Sequence, residues 1–309
     1  MKSIKPASVE DLKVKLVECD QLDHVDLSGV NRLIEHVPED MTATVEAGLT
    51  VAELQRLLAN GGQWLPVDPP NPESVTVGDL LSGNLKGPRR FGCGTIRDWV
   101  IGMTMVLPDG SLIRNGGKVV KNVAGFDLCR LFIGAQNTLG IIAEATFKLQ
   151  PLPEAEVHLA KQFDSLGRAE ECFEKIWSSE LQPMVLDLHR LGKDPITMVV
   201  GFAGPSADVK AQNVELSELG FGEVNSLAYD EQFRSQPHST KSVAPGNLFN
   251  VLNELKGAEF VARAGNGVVY FLGDPPDEAK SASTDLAELE RRLKKEFDPE
   301  NKLPTLQRG

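Results

Sequence analysis

Between Val75 and Gly94, glycine recurs at positions 78, 83, 87, 92 and 94, with the basic pair Arg89-Arg90 between them. Glycine allows close approach of a backbone, and successive amides in such loops form anion-binding concavities, so this stretch suits something flat or anionic. A second candidate lies from Met184 to His189. Strand alternation puts Asp187 and His189 on one face and Met184, Leu186 and Leu188 on the other. Arg97, Lys118, Lys121 and Arg263 are further cations, each of which alone also reads as a solvated charge or an ion pair with a neighbour such as Asp98. Cys19, Cys93, Cys129 and Cys172 are far apart and form no C-x-x-C, which leaves neither zinc nor an iron–sulfur cluster a ligand set and points to buried thiols. No metal site is expected.

Regular elements must carry these groups. Ser8 caps a helix over 8–19 in which Val9, Leu12, Leu16 and Cys19 recur at helical spacing. Leu22 to Ser28 reads as a short strand ending near Gly29. Thr42 to Gly48 reads as another, after which Thr50 caps a helix that stops at Gly61-Gly62. The prolines of Pro66-Val67-Asp68-Pro69-Pro70-Asn71-Pro72 allow only a loop. Val100 to Val106 and Ser111 to Arg114 form a hairpin around Pro108-Asp109-Gly110, and Ile141 to Leu149 is a strand closed by Gln150-Pro151-Leu152-Pro153. That proline pair marks a domain boundary, giving domains over 1–152 and 153–309. Beyond it the pattern predicts strand 157–163, helix 165–179, strand 184–190, strand 196–203, helix 205–219, strand 223–228, a helix over 246–255 and a strand over 268–272. A terminal helix follows with Leu286, Leu289, Leu293 and Phe297 on one stripe. This order implies an α+β fold with helices on one face of an antiparallel sheet.

The chain has 309 residues and a formal charge of -12, so it has room for two domains and would repel nucleic acid and anionic lipid. There is no apolar run of signal-peptide or membrane-spanning length, and the expectation is a cytoplasmic protein with no integral membrane segment.

Five segments stand in one order: Thr42 to Gly48 with Leu65-Pro66-Val67-Asp68-Pro69-Pro70; Thr76-Val77-Gly78-Asp79; Gly87-Pro88-Arg89-Arg90-Phe91-Gly92-Cys93-Gly94-Thr95-Ile96-Arg97-Asp98; Gly116 to Asp127; and Asn137-Thr138-Leu139-Gly140-Ile141-Ile142-Ala143-Glu144. In this register the sequence resembles the FAD-binding subunits of glycolate oxidase, flavoproteins of the vanillyl-alcohol-oxidase type. The second half is similar only in element order and through Ala264-Gly265-Asn266-Gly267. The resemblance implies a PCMH-type FAD-binding domain followed by a ferredoxin-like α+β cap. It also implies noncovalent FAD, bound along Pro69, Pro70, Thr76, Val77, Gly78, Ser82, Gly83, Asn84, Gly87, Arg89, Gly94, Thr95 and Ile142.

The chemistry so implied is oxidation of a small 2-hydroxy acid. A cation holds the substrate carboxylate and a base takes the hydroxyl proton, roles for which Arg89 and His189 are the candidates, with Asp187 and His189 facing the flavin domain. The implied partners are a catalytic flavin subunit and an iron–sulfur subunit, through which the chain could associate with a membrane. The sequence also departs from the pattern. Cys19-Asp20-Gln21-Leu22 joins the first helix directly to the next strand, omitting a strand and a glycine-rich loop that the family wraps round the flavin pyrophosphate. Asp79 stands where a second glycine is usual, and a carboxylate there would repel a phosphate. Two other readings follow from these departures: a flavin-free assembly subunit that keeps the fold, and a stand-alone flavin-dependent 2-hydroxy-acid dehydrogenase.

Overall fold

The Ser8 hydroxyl accepts from the Asp11 amide at 3.1 Å and starts the first helix where the sequence places it. In the computed structural model, which describes residues 2–117, 127–273 and 284–306, β1 (Ser3–Ile4) leads into α1 (Val9–Glu18). This helix buries Leu12 and Leu16. The strand expected over 22–28 is only β2 (His24–Val25), paired in parallel with β1, because Asp26 accepts from the Ser28 amide and turns the chain into a short 3-10 helix. A strand the pattern did not indicate, β3 (Leu33–Val37), pairs with β4 (Thr42–Glu46). Thr50 then caps α2 (Val51–Ala59), and β5 (Gln63–Trp64), α3 (Val77–Ser82) and the single turn α4 (Arg90–Cys93) follow. The expected hairpin is β6 (Val100–Val106) and β7 (Leu112–Gly116); beyond it come α5 (Leu128–Phe132), β8 (Ile141–Lys148) and β9 (Gln150–Pro151). Strands β3-β4-β8-β6-β7 form one antiparallel sheet. Val45, Leu54, Leu80, Met105, Phe132, Ile142 and Phe147 fill its core.

The second part opens with β10 (Ala155–Phe163), α6 (Leu166–Trp177), β11 (Val185–Arg190), β12 (Ile196–Gly204) and α7 (Ser206–Glu218), close to the expected spans. β13 (Gly222–Val224) is shorter than expected, and α8 (Ala228–Arg234) and β14 (Ser239–Ser242) were not indicated by the pattern. After α9 (Leu248–Glu254) come β15 (Phe260–Arg263), also missed, and β16 (Val268–Phe271). These strands form one antiparallel sheet in the order β13-β10-β12-β11-β15-β16-β14. Leu186 and Leu188 join the larger core with α6, α7 and α9, while Val185, Val199 and Val261 face Tyr229 and Phe233 of α8. Helices therefore cover both faces of this sheet, where the sequence suggested one.

The chain forms two compact units that no single cut separates. One comprises Met1–Lys86, Thr95–Leu152 and Ser281–Arg308, and the other Gly87–Gly94 and Pro153–Lys280. α10 (Thr284–Phe297), expected with the second domain, belongs to the first because Leu293 and Phe297 bury against its core and Phe297 meets Phe132 edge-on at 5.6 Å. Leu286 and Leu289 on the same stripe stay half exposed. Leu303, just beyond, is buried among Leu12, Leu16, Cys19 and Leu22, and Leu22 donates its amide to the Lys302 carbonyl at 2.7 Å. The Cys19-Asp20-Gln21-Leu22 junction is thus sealed by the C-terminal segment.

Candidate functional site

The residues expected along FAD divide between the units: Gly87, Arg89 and Gly94 in the second, the others in the first. Helix α3 shows what its neighbourhood offers a phosphate. Thr76 and Asp79 form a closed capping box, in which the Thr76 amide donates to Asp79 Oδ2 at 3.0 Å, the Thr76 hydroxyl donates to the same oxygen at 2.7 Å, and the Asp79 amide donates to Thr76 Oγ1 at 3.1 Å. The next amides are engaged too. Val77 donates to the Leu49 carbonyl at 2.8 Å and Gly78 to the Ala47 carbonyl at 2.7 Å. A side chain at Gly78 would come within 3.2 Å of the Ala47 carbonyl oxygen, so this glycine serves the approach of two backbone segments.

The remaining predicted donors behave alike. Gly83 donates to Asp79, Asn84 to Leu81 and Gly94 to Arg90 through backbone bonds, and the Thr95 amide goes to Asp98 Oδ2 at 2.7 Å. Pro69 and Pro70 carry no amide hydrogen, Ser82 is buried in α3, and Ile142 is buried in β8. Asn84 Oδ1, an acceptor, is buried without a hydrogen-bond partner. Asn84 has a φ of 47°, in the left-handed region, and lies beside Gly134, where a side chain would come within 3.3 Å of the Asn84 Cβ. What these residues offer FAD is one acceptor, Asn84 Oδ1, open to a hydroxyl or amino donor. They do not fit its pyrophosphate at α3, since an anion needs donors and the first-turn donors are closed beneath an exposed carboxylate. Lys118, Lys121 and most of Gly116 to Asp127 lie outside the described residues.

In the second unit, the Gly-Pro-Arg-Arg segment is held by close contacts of its glycine and its aromatic ring. The Gly92 amide donates to the Met184 carbonyl at 3.1 Å, and a side chain at Gly92 would meet the Met184 Cα at 2.6 Å. Phe91 lies over Gly265, where a Cβ would come within 2.2 Å of the ring. Arg89 forms a salt bridge with Glu156, which also meets His158 Nε2 at 3.1 Å. Burial raises the Glu156 carboxyl, but the His158 hydrogen bond and the Arg89 charge outweigh it and bring the pKa down to about 2.

Asp187 and His189 do share a face, and α8 covers it. Asp187 is fully buried: Tyr229 donates its hydroxyl to Asp187 Oδ2 at 2.6 Å, and Arg263 donates to the same oxygen and to Asp230 Oδ1. Two carboxylates thus enclose one guanidinium that is itself 1% exposed. Burial pushes the Asp187 carboxyl up to about 6 against the pull of Arg263. Burial likewise disfavours the Arg263 charge, yet Asp187 and Asp230 hold its pKa well above the ordinary value. His189 stacks on Tyr229 at 4.4 Å between ring centroids, its Nδ1 is buried without a partner, and burial brings its pKa down to about 4. A base so weak is poorly matched to neutral pH, and Arg263 is already committed to two carboxylates. Tyr229 and Asp230, which complete this cluster, sit on α8, whose two turns carry no capping side chain and gave no sequence signal. The four cysteines are free and buried, as expected. Among the described residues no group of histidine, cysteine and acidic side chains could hold a metal, and no helix is long and apolar enough to cross a membrane.

A family model described as an FAD binding domain matches residues 18–116. The glycolate oxidase subunit GlcD of Bacillus subtilis is 34% identical over 189 residues, covering 61% of this chain and 40% of that protein. The glycolate oxidase subunit GlcE of Escherichia coli is 31% identical over 220 residues, covering 71% of this chain and 60% of that protein. A mitochondrial D-lactate dehydrogenase [cytochrome] of Arabidopsis thaliana is 27% identical over 296 residues, or 91% of this chain and 49% of its own length. The chain thus spans about half the length of these relatives. In fold it resembles a solved alkyldihydroxyacetonephosphate synthase with a TM-score of 0.74, 17% identity and coverage of 99% of this chain and 76% of that one. Residues 18–116 thus match an FAD binding domain, and the relatives similar to this chain include proteins named as glycolate oxidase subunits and as a D-lactate dehydrogenase.

Proposed function

We propose that this chain is the FAD-domain subunit of a complex of the glycolate oxidase type, which oxidises a small 2-hydroxy acid to the 2-oxo acid. Its partners are a catalytic flavin subunit and an iron–sulfur subunit, and its place is the cytoplasm, with any membrane association made through those partners. The similarity to GlcD and GlcE, both named as glycolate oxidase subunits, supports this reading. The observation that carries it is the condition of the candidate reactive groups. Arg263 is committed to Asp187 and Asp230, Arg89 is paired with Glu156, and His189 is buried and weakly basic. The cation that holds the substrate carboxylate and the base that takes its hydroxyl proton then come from another subunit. The test is turnover of glycolate and D-lactate with an artificial electron acceptor, by the chain alone and after co-expression with the two partner subunits. Turnover and co-purification only in the assembled complex are expected; full activity of the lone chain would overturn the proposal.

The closed first turn of α3 favours a second reading, a flavin-free subunit that uses the same fold for assembly. The visible spectrum and released flavin of the purified chain, with and without added FAD, separate the two. Stoichiometric flavin supports the first reading. A folded, colourless protein that takes up no FAD supports the second.

A further inference from the structure

We propose that α10 is a docking face for a helix of a partner subunit, one that is apolar along one side and acidic beside it. The proposal rests on the subunit reading above and names the surface that assembly would use. Leu286, Leu289 and Leu293 recur at i, i+3 and i+7, the spacing that forms one seam of a pair of packed helices. Leu293 buries against the core of the first unit, whereas Leu286 and Leu289 are 47% and 50% exposed. The seam therefore runs on past the core that holds its C-terminal end. Beside it, within the first unit, lies an open groove of about 590 Å³ lined by Leu131, Ile133, Leu139, Leu286, Leu293 and Leu306.

Charge decides which helix fits. Arg97, Arg130 and Arg291 also line the groove, against one acidic side chain, Glu290. Arg97 is exposed and spends one N–H on the Ile133 carbonyl at 2.7 Å. Arg130 and Arg291 pair with Asp127 and Glu288 at 67% and 74% exposure, where water keeps such pairs weak and leaves the guanidinium groups able to meet a second carboxylate. Lys294, by contrast, is spent within the fold on Asp298 and the carbonyls of Thr138, Leu303 and Pro304. On a chain of formal charge -12, an apolar groove rimmed by three arginines favours acidic partners and disfavours basic ones.

The experiment measures, by fluorescence anisotropy at low and at physiological salt, binding to the full chain of a labelled synthetic helix with leucines at i, i+3 and i+7 flanked by glutamates, and of the same helix with lysines in place of the glutamates. The variants are Leu286→Glu, Leu289→Glu and Arg130→Glu/Arg291→Glu, each checked by thermal unfolding. The wild-type chain should bind the glutamate helix, more weakly as salt rises. Each leucine variant should bind it about tenfold more weakly, since a charge replaces apolar surface that docking would bury. Arg130→Glu/Arg291→Glu should also bind it about tenfold more weakly, and should prefer the lysine helix. No binding of the glutamate helix, equal binding of the two helices by the wild type, or wild-type affinity in the folded variants would overturn the proposal. So would self-association of the chain that Leu286→Glu abolishes, because a second copy would then fill the seam. In the co-expressed complex, Leu286→Glu and Arg130→Glu/Arg291→Glu should release the chain from its partner subunits. Retention of both variants at the wild-type level would overturn the proposal and leave the subunit reading standing, whereas a wild-type chain that retains no partner would overturn that reading, with the helix titration still deciding the docking face.

Discussion

Replacing Arg263 by methionine keeps most of the side-chain volume and removes the positive charge that Asp187 and Asp230 share in their buried cluster. Both carboxylates are then left without their cation, at 0% and 4% exposure. Tyr229 still donates to Asp187, but a neutral hydroxyl does not replace a guanidinium. Removing one partner of a buried ion pair costs about 3–5 kcal/mol, because the remaining charge stays desolvated. For a unit of this size that corresponds to a fall in Tm of roughly 6–20 °C. The variant should recover stability on mild acidification, since carboxyls whose folded pKa lies above the unfolded value bind protons on folding, and such groups make stability rise as pH falls. Asp187, already pushed up to about 6 with Arg263 present, should rise further without it. Denaturant unfolding from pH 7.5 to 5 is the assay, with Arg263→Met/Asp187→Asn/Asp230→Asn as companion. The companion should regain much of the loss, because no uncompensated charge remains. If Arg263→Met unfolds within about 1 kcal/mol of wild type at neutral pH, the cluster contributes no more than an exposed ion pair and the reasoning fails.

Gly265→Ala should destabilise the second unit by about 1–3 kcal/mol, because its Cβ would enter the Phe91 ring, and Phe91→Ala in the same chain should remove most of that penalty in a double-mutant cycle. Asp298→Ala removes a buried carboxylate that accepts from Lys294 Nζ and from the amides of Lys302 and Leu303, and should cost about 2–4 kcal/mol and speed proteolysis near the C-terminal segment. Glu156 has a folded pKa near 2, below its unfolded value, so its contribution is present above about pH 4.5 and is lost as pH falls towards 2; Glu156→Gln should flatten that part of the acid-unfolding curve. His189, with its folded pKa lowered to about 4, should remain neutral at pH 5.5 in an imidazole NMR titration, and a titration midpoint near 6.5 would contradict its burial beside Tyr229.

Elements with a long period or a clear cap were legible in the sequence: Ser8 before α1, Thr50 before α2, the Pro108-Asp109-Gly110 hairpin and the apolar alternation of β8, β10 and β12 all read directly. β3, β14, β15 and α8 did not, being short elements whose residues are specified by tertiary neighbours more than by their own spacing. That gap decided how the candidate site was read. With α8 unseen, Asp187 and His189 looked like an open polar face, whereas Tyr229 and Asp230 close it. Asp79 read as an obstacle to a phosphate from its charge alone, and its capping role needed the geometry, because Thr-x-x-Asp has a meaning only where a helix begins. The glycines at 92 and 265 carried the wrong emphasis: they admit Met184 and Phe91.

The return of α10 and Leu303 to the first unit also bears on the order in which the protein is made. A ribosome delivers β1 to β9 first, then the whole second unit, and only afterwards Leu293, Phe297 and Leu303. Until then Phe132 lacks Phe297 and the cluster of Leu12, Leu16 and Leu22 lacks its seal, so the first unit emerges early and is completed last. The second unit has all its strands before that point and can fold as a unit during synthesis. A chain cut after Leu152 would present that unfinished apolar surface to chaperones, and one cut after Lys280 would carry the whole second unit attached to it.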